Sequence, residues 1–184
     1  ITVAKGLTSA YIPLSASIVS KKVCDVLKQG SDMAGMFPHG YTYSGHPVGA
    51  AAANAVLDIV EREDLPGNAK ETGAYFQKRL QETFSQMPIV GEVRGVGLMG
   101  ALEFVADRAT KERFEPSLKV GARISNAALA EGVIARAMPH GDILGFSPPL
   151  CITKEEVDIV IEKARLAVTK VAAELEDEGL LKAA

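Results

Sequence analysis

The sequence predicts an α/β chain in two parts, the end of an α/β domain followed by a small α+β domain. Three features carry that reading. Short β-branched and apolar runs alternate with longer stretches at helical spacing. Pro47 opens an alanine-rich run to Val60 that reads as one helix, because proline suits the first helical position and alanine is the best helix former. Ile89 to Arg94 and Leu98 to Val105 read as two strands separated by glycines, which could pair as a hairpin. The boundary is expected where Asp64-Leu65-Pro66 punctuates the chain, giving parts 1–62 and 63–184.

In chain order, Thr2-Val3-Ala4 reads as the end of a strand and Pro13 to Val19 as a short buried strand. Ser20 and the run Lys21 to Leu27 begin a helix with Val23, Val26 and Leu27 on one face, which Gly30 is expected to stop. Residues 31–40 read as a loop leading to Tyr41-Thr42-Tyr43. A long helix should follow Pro66 to about Gln86, because Phe76, Leu80 and Phe84 recur at a spacing of four. Pro116 and Ser117 open another helix, with Val120, Ile124, Ala127 and Ala128 on one face and Gly132 at its end. Val133 to Arg136 reads as a strand. The last helix has the clearest start: Thr153 and Glu156 form a capping box, after which Val157, Val160, Ile161, Ala164, Val168, Val171 and Leu175 line one face. The acidic residues from Glu174 to Glu178 read as a solvated tail.

Composition excludes several classes. The 184 residues are 47% hydrophobic, with a net charge of −3 and pI ≈ 5.7, so there is no basic field to hold nucleic acid. The most apolar run, Val48 to Val60, is interrupted by Asn54 and Asp58 and falls short of the about 20 residues a membrane span needs. Cys24 and Cys151 lack metal-ligand spacing and read as reduced thiols of a cytoplasmic protein. His39, His46 and His140 form no i, i+4 pair, so no metal site is expected, and no serine sits in a G-x-S-x-G elbow. The chain starts without a methionine and with strand-like residues under way, which suggests that it is a piece of a longer protein.

Four groups of residues could carry chemistry. Lys5 follows a β-branched run and precedes a glycine, which suggests a lysine at a strand end inside a pocket. Enclosure favours the neutral amine, the form that attacks a carbonyl; the alternative is a lysine with its head in water. Thr42 lies shortly before the helix that begins near Pro47, where unpaired N–H groups and the helix dipole favour a phosphate, although a threonine there can also serve as a local cap. Tyr41 and Tyr43 beside it could pack at a subunit contact or touch a ligand. Arg136 ends the strand from Val133, and its guanidinium could grip a carboxylate through two parallel bonds; Arg94 reads instead as part of a structural salt bridge. Gly95, Gly97 and Gly100 match G-x-G-x-x-G, the mark of a nucleotide-dependent oxidoreductase, but a β-leaning run follows where that motif needs a helix.

The run Ala4-Lys5-Gly6-Leu7-Thr8-Ser9-Ala10-Tyr11-Ile12-Pro13-Leu14-Ser15-Ala16 closely resembles the lysine segment of class III pyridoxal-phosphate-dependent aminotransferases, with omega-amino acid:pyruvate transaminases the nearest likeness. Further likenesses lie at Tyr41 to Pro47, at Val93 to Glu103, and from Gly141-Asp142 to Thr153. The resemblance implies the C-terminal portion of a fold-type I enzyme that moves an amino group from an amine or omega-amino acid to a keto acid such as pyruvate. It implies that Lys5 holds pyridoxal 5′-phosphate and shuttles a proton, and that Thr42 reaches the cofactor phosphate of a neighbouring subunit. It also implies that Arg136 swings in to bind a substrate carboxylate, although the stretch from Arg136 to Pro148 is longer than the family pattern. A homodimer or dimer-based tetramer with shared sites follows from the same likeness, and the residues that pair with and stack on the cofactor ring would precede Ile1.

Overall fold

A computed structural model describes residues 1–37 and 39–181. The chain divides into two compact units, Ile1–Asp64 and Leu65–Ala184.

In the first unit, β1 (Thr2–Ala4) pairs antiparallel with β2 (Ser15–Ser17), Val3 opposite Ala16. Both strands exist, but β2 is exposed along its length rather than buried, since a two-stranded ribbon has no sheet neighbour to cover it. Ser20 caps α1 (Lys21–Ala34) by accepting from the Val23 N–H at 3.4 Å. This helix runs through Gly30, because one interior glycine costs only about 1 kcal/mol relative to alanine. Gly35 is the true stop: its φ of 80° supplies the left-handed turn, and its N–H closes on the Ser31 carbonyl at 2.8 Å. Pro47 opens α2 (Pro47–Arg62) at its first turn. Its first turn packs on Ile12 and Leu14, where a Cβ added at Gly49 would make ordinary contact with Leu14 at 3.4 Å and Ile12 at 3.6 Å.

The second unit places helices α3 (Leu65–Phe84), α4 (Val120–Ala130) and α5 (Lys154–Asp177) with a four-stranded antiparallel sheet in the order β3 (Val90–Val96), β4 (Met99–Phe104), β6 (Ile143–Phe146), β5 (Arg136–Ala137). The period-2 pattern of β4 turns Gly100, Leu102 and Phe104 inward. Leu102 and Phe104 join Phe76, Leu80 and Phe84 of α3, Ile124 of α4, and Ile161, Val168 and Leu175 of α5 in one core.

Four expectations need correction here. Residues 116–118 form only a 3₁₀ turn; Lys119, at φ 49°, breaks it, and α4 begins at Val120. Asp142 then serves as a cap from a distant segment, its carboxylate accepting the Gly121 N–H at 2.8 Å. Val133 does not start a strand, because its N–H closes the end of α4 on the Ala128 carbonyl at 2.8 Å, with Gly132 in the left-handed region at φ 89°. Arg136 therefore begins β5 rather than ending a strand. The acidic end of α5 is no free tail: Arg123 of α4 donates to Glu174 at 2.9 Å and to Glu178 at 2.8 Å, which holds the Glu178 carboxyl below its usual range. Strand β6 was not expected at all. The capping box is present as the sequence predicts, with the Glu156 N–H donating to Thr153 Oγ1 at 3.2 Å and the Thr153 N–H donating to Glu156 Oε2 at 2.9 Å.

A second tie joins α3 to α5. Asp158 accepts from Arg79 Nε at 2.7 Å and from Tyr75 Oη at 2.9 Å. The Arg79 bond first, and the Tyr75 bond after it, hold the Asp158 carboxyl below its ordinary value. A depressed carboxyl contributes stability that is complete above its unfolded pKa and is lost as pH falls through the folded one. Thermal melts across the acid range should therefore show a shallower acid-side loss for Asp158→Asn than for the parent, with a lower Tm at neutral pH. The effect is expected to be modest because the pair is part-exposed. Superimposable pH profiles would show that this tie does not contribute.

Candidate active site

β1 ends at Ala4 and delivers Lys5 into a 3₁₀ turn, Lys5–Thr8. The turn is conformationally costly. Lys5, Ser9 and Ala10 all occupy the left-handed region, at φ 54°, 48° and 62°. Each such residue costs roughly 1–2 kcal/mol when it is not glycine, and backbone strain of this kind gathers at functional sites. The segment is held by the Ser9 N–H donating to the Gly6 carbonyl at 3.1 Å and the Tyr11 N–H to the Thr8 carbonyl at 3.0 Å. Thr8, which is buried, adds a third bond by donating its hydroxyl to the Ile12 carbonyl at 2.6 Å. Lys5 lines an open hollow of about 500 Å³ with Ala10, Ile12, Pro13, Leu14 and Ser15. Its side chain has no hydrogen-bond or ion-pair partner among the described residues. The strand-end position agrees with the sequence, but the expected enclosure does not: Lys5 is exposed in this chain.

Thr42 begins a turn closed by the Ser44 N–H on the Tyr41 carbonyl at 2.9 Å and by the Tyr41 N–H on Ser44 Oγ at 2.8 Å. Gly45, at φ 71°, sends the chain into α2. His46 is the N-cap, yet its side chain makes no capping bond, so the first N–H groups of α2 receive no side-chain partner from it. Its ring lies 6.1 Å from that of Tyr43. Thr42, Tyr41 and Tyr43 are all exposed, and Thr42 does not line the hollow beside Lys5.

Arg136 lies in the second unit, exposed at the start of β5, with no carboxylate paired to it among the described residues. It does not line that unit's cavity of about 330 Å³, whose walls include Arg113, Lys119, Phe114, Met138 and Asp142. Arg94 is structural, as its place suggests: it bridges Glu103 at 2.6 Å and Glu92 at 2.9 Å.

The glycine run belongs to a β-hairpin. Gly95 faces Gly100 across β3 and β4, Gly97 turns the chain at φ 54°, and the next element is a strand rather than the helix a dinucleotide fold requires. Gly100 has a packing reason of its own, since a Cβ there would fall 2.5 Å from Leu80 Cδ1. These glycines therefore do not make a nucleotide site. No group of His, Cys, Asp and Glu among the described residues could hold a metal, and none of the helices searched is long and apolar enough to cross a membrane. Cys24 and Cys151 are free thiols.

Thr8 went unnoticed in the sequence as a separate feature. Its only sign there is a hydroxyl placed three residues after the lysine, beside a second one at Ser9.

Residues 1–168 match the family model described as Aminotransferase class-III. The chain is 57% identical over 184 residues to the diaminobutyrate–2-oxoglutarate transaminase of Halomonas elongata, covering 100% of this chain and 39% of that protein. It is 43% identical over 172 residues to the putrescine–pyruvate aminotransferase of Pseudomonas aeruginosa, covering 93% and 36%. Among solved structures, an amine transaminase from an uncultivated Pseudomonas species, in a PLP-bound form, superposes with a TM-score of 0.84 at 42% identity, covering 92% of this chain and 38% of that one. The chain thus spans well under half the length of these relatives.

Proposed function

The chain belongs to the class-III aminotransferases, and we propose that the full-length protein moves an amino group from an amine or omega-amino acid to a keto acid such as pyruvate, using pyridoxal 5′-phosphate held by Lys5. The observation that carries this reading is Lys5 itself. It is a strained, unpaired amine set directly after a strand, at the edge of an open, largely apolar hollow. A lysine with no carboxylate beside it is free to react, and a φ of 54° is a conformation a lysine bears at a cost.

The residues present suit the cofactor. An amine that faces a hollow can bond a carbonyl carbon, and a hydroxyl followed by a helix start without a side-chain cap suits a phosphate dianion. When bound, pyridoxal phosphate supplies the electron sink, and the protein supplies binding, orientation and charge. Lys5 Nζ would anchor the cofactor and, when free, would be the base that takes the proton from the carbon bearing the substrate's amino group. Thr42 Oγ1 and the first N–H groups of α2 hold the phosphate. Arg136 binds the carboxylate of an acid substrate, because a planar guanidinium matches a carboxylate with two parallel bonds. Treating the full-length protein with pyridoxal phosphate and then borohydride should fix one label per chain, mapped by mass spectrometry to Lys5. A label elsewhere, or none, would defeat this reading.

Thr42 carries the proposal for oligomeric state. If it serves the phosphate of a neighbouring subunit, two-fold symmetry places the same patch in both sites, and the active species is at least a homodimer. Thr42→Ala should then weaken cofactor binding. Mixing Lys5→Ala chains with Thr42→Ala chains should restore part of the activity, because a heterodimer gathers both lesions into one site and leaves the other whole. Verified heterodimers without recovery would mean that Thr42 acts within its own subunit or not at all.

A further inference from the structure

We propose that Thr8 is a positioning residue for Lys5, and that its hydroxyl also ties the lysine turn to the start of α2. The proposal rests on the reading of Lys5 as the cofactor lysine. Most of the segment around Thr8 is open: Lys5, Gly6, Ser9, Ala10 and Tyr11 are exposed, whereas Thr8 is 1% exposed. A buried hydroxyl needs a partner, and this one donates to the Ile12 carbonyl at 2.6 Å, the short end of the range for such bonds.

The bond closes the stretch in which Lys5, Ser9 and Ala10 adopt left-handed conformations that their own backbones disfavour. The surroundings have to impose such a turn, and the Thr8 side chain supplies the only side-chain hydrogen bond described within residues 5–12. The same bond fixes Ile12. The Ile12 Cγ2 and Leu14 Cδ1 atoms sit against Gly49, at 3.6 Å and 3.4 Å from where a Cβ would be, and Gly49 lies in the first turn of α2. One hydroxyl therefore sets both the exit of the lysine from β1 and the seat of the helix that follows Thr42. Removing it would let Lys5 Nζ drift within its own site and the α2 start drift from the phosphate it serves, and small misplacements at a reacting centre are costly.

The test uses the full-length protein with pyridoxal 5′-phosphate. Thr8→Val keeps the shape and removes the donor, while Thr8→Ser keeps the donor. Thr8→Val is expected to lower kcat by about tenfold to a hundredfold with KM little changed, since Thr8 touches no substrate. It should also shift the pH midpoint of the cofactor's visible absorbance and slow the borohydride-trapped labelling of Lys5. Thr8→Ser should restore all three readouts to within about threefold of the parent. A Thr8→Val protein that only melts earlier, with kcat, absorbance midpoint and labelling rate unchanged, would reduce Thr8 to a structural residue and overturn the proposal. If Thr8→Val does not fold, Thr8→Cys, whose thiol is a poor donor, takes its place and the same readouts decide. Labelling of Lys5 in the parent protein separates the two readings: its absence defeats the assignment of Lys5, whereas its presence with unperturbed Thr8 variants defeats only the role of Thr8.

Discussion

Lys5→Ala in the full-length protein is expected to lose nearly all transamination, a fall of at least about 10²–10⁴-fold, together with covalent retention of the cofactor. The loss follows from chemistry, since no other side chain lining the hollow carries an amine. Lys5→Arg should be equally inactive, because a guanidinium keeps the charge but is never neutral enough to attack a carbonyl. The backbone adds a second and opposite expectation. At φ 54°, a side chain of any kind is strained, so Lys5→Gly should relieve roughly 1–2 kcal/mol while abolishing activity. Thermal melts of the cofactor-free proteins would show it as a higher Tm for Lys5→Gly than for Lys5→Ala. A Lys5→Ala protein that retains turnover and borohydride labelling would remove Lys5 from the mechanism. A Lys5→Gly protein no more stable than Lys5→Ala would show that the turn is not under strain.

What could be read in the sequence depended on whether the deciding interactions were local. The helix starting at Pro47 and the one starting after Thr153 were legible, because a proline at the first position and a capping box act within four residues. The hairpin was legible from two apolar runs around glycines. The end of α1 was misplaced because Gly30 and Gly35 look alike in sequence, and only the second takes the left-handed conformation that closes a helix. Asp142 capping α4 and Arg123 gripping the end of α5 could not be read, since each joins segments more than 20 residues apart. At the candidate site, the residue types and their order were visible, and the strand end before Lys5 was too. Its exposure was not, nor was the buried hydroxyl of Thr8, because burial depends on what the chain folds against and not on its neighbours in sequence.

Gly73→Ala is the substitution expected to damage the second unit most for its size, against the usual rule for helices. Gly73 lies inside α3, where replacing glycine by alanine normally gains about 1 kcal/mol of helix propensity. Here the new Cβ would fall 2.6 Å from the Gly97 carbonyl carbon and 2.7 Å from its Cα, and both are backbone atoms at the tip of the β3–β4 hairpin. The tip cannot simply retreat. One turn along α3, Gln77 Nε2 donates to the carbonyls of Gly97 at 2.8 Å and Met99 at 2.9 Å, so moving the hairpin away stretches two bonds. Overpacking costs about 1–3 kcal/mol and each weakened bond up to about 1 more, so the losses exceed the gain in propensity. Urea unfolding should show a lower midpoint with an unchanged slope, corresponding to roughly 1–4 kcal/mol of net destabilisation. Gly97→Ala provides the contrast: its Cβ meets nothing closer than the Ala69 carbonyl at 3.7 Å, so its cost comes from φ 54° alone. If the hairpin does yield, Gln77→Ala should cost less in the Gly73→Ala background than alone, since the bonds it removes are already stretched. A Gly73→Ala protein as stable as the parent would mean that the hairpin tip moves freely against α3.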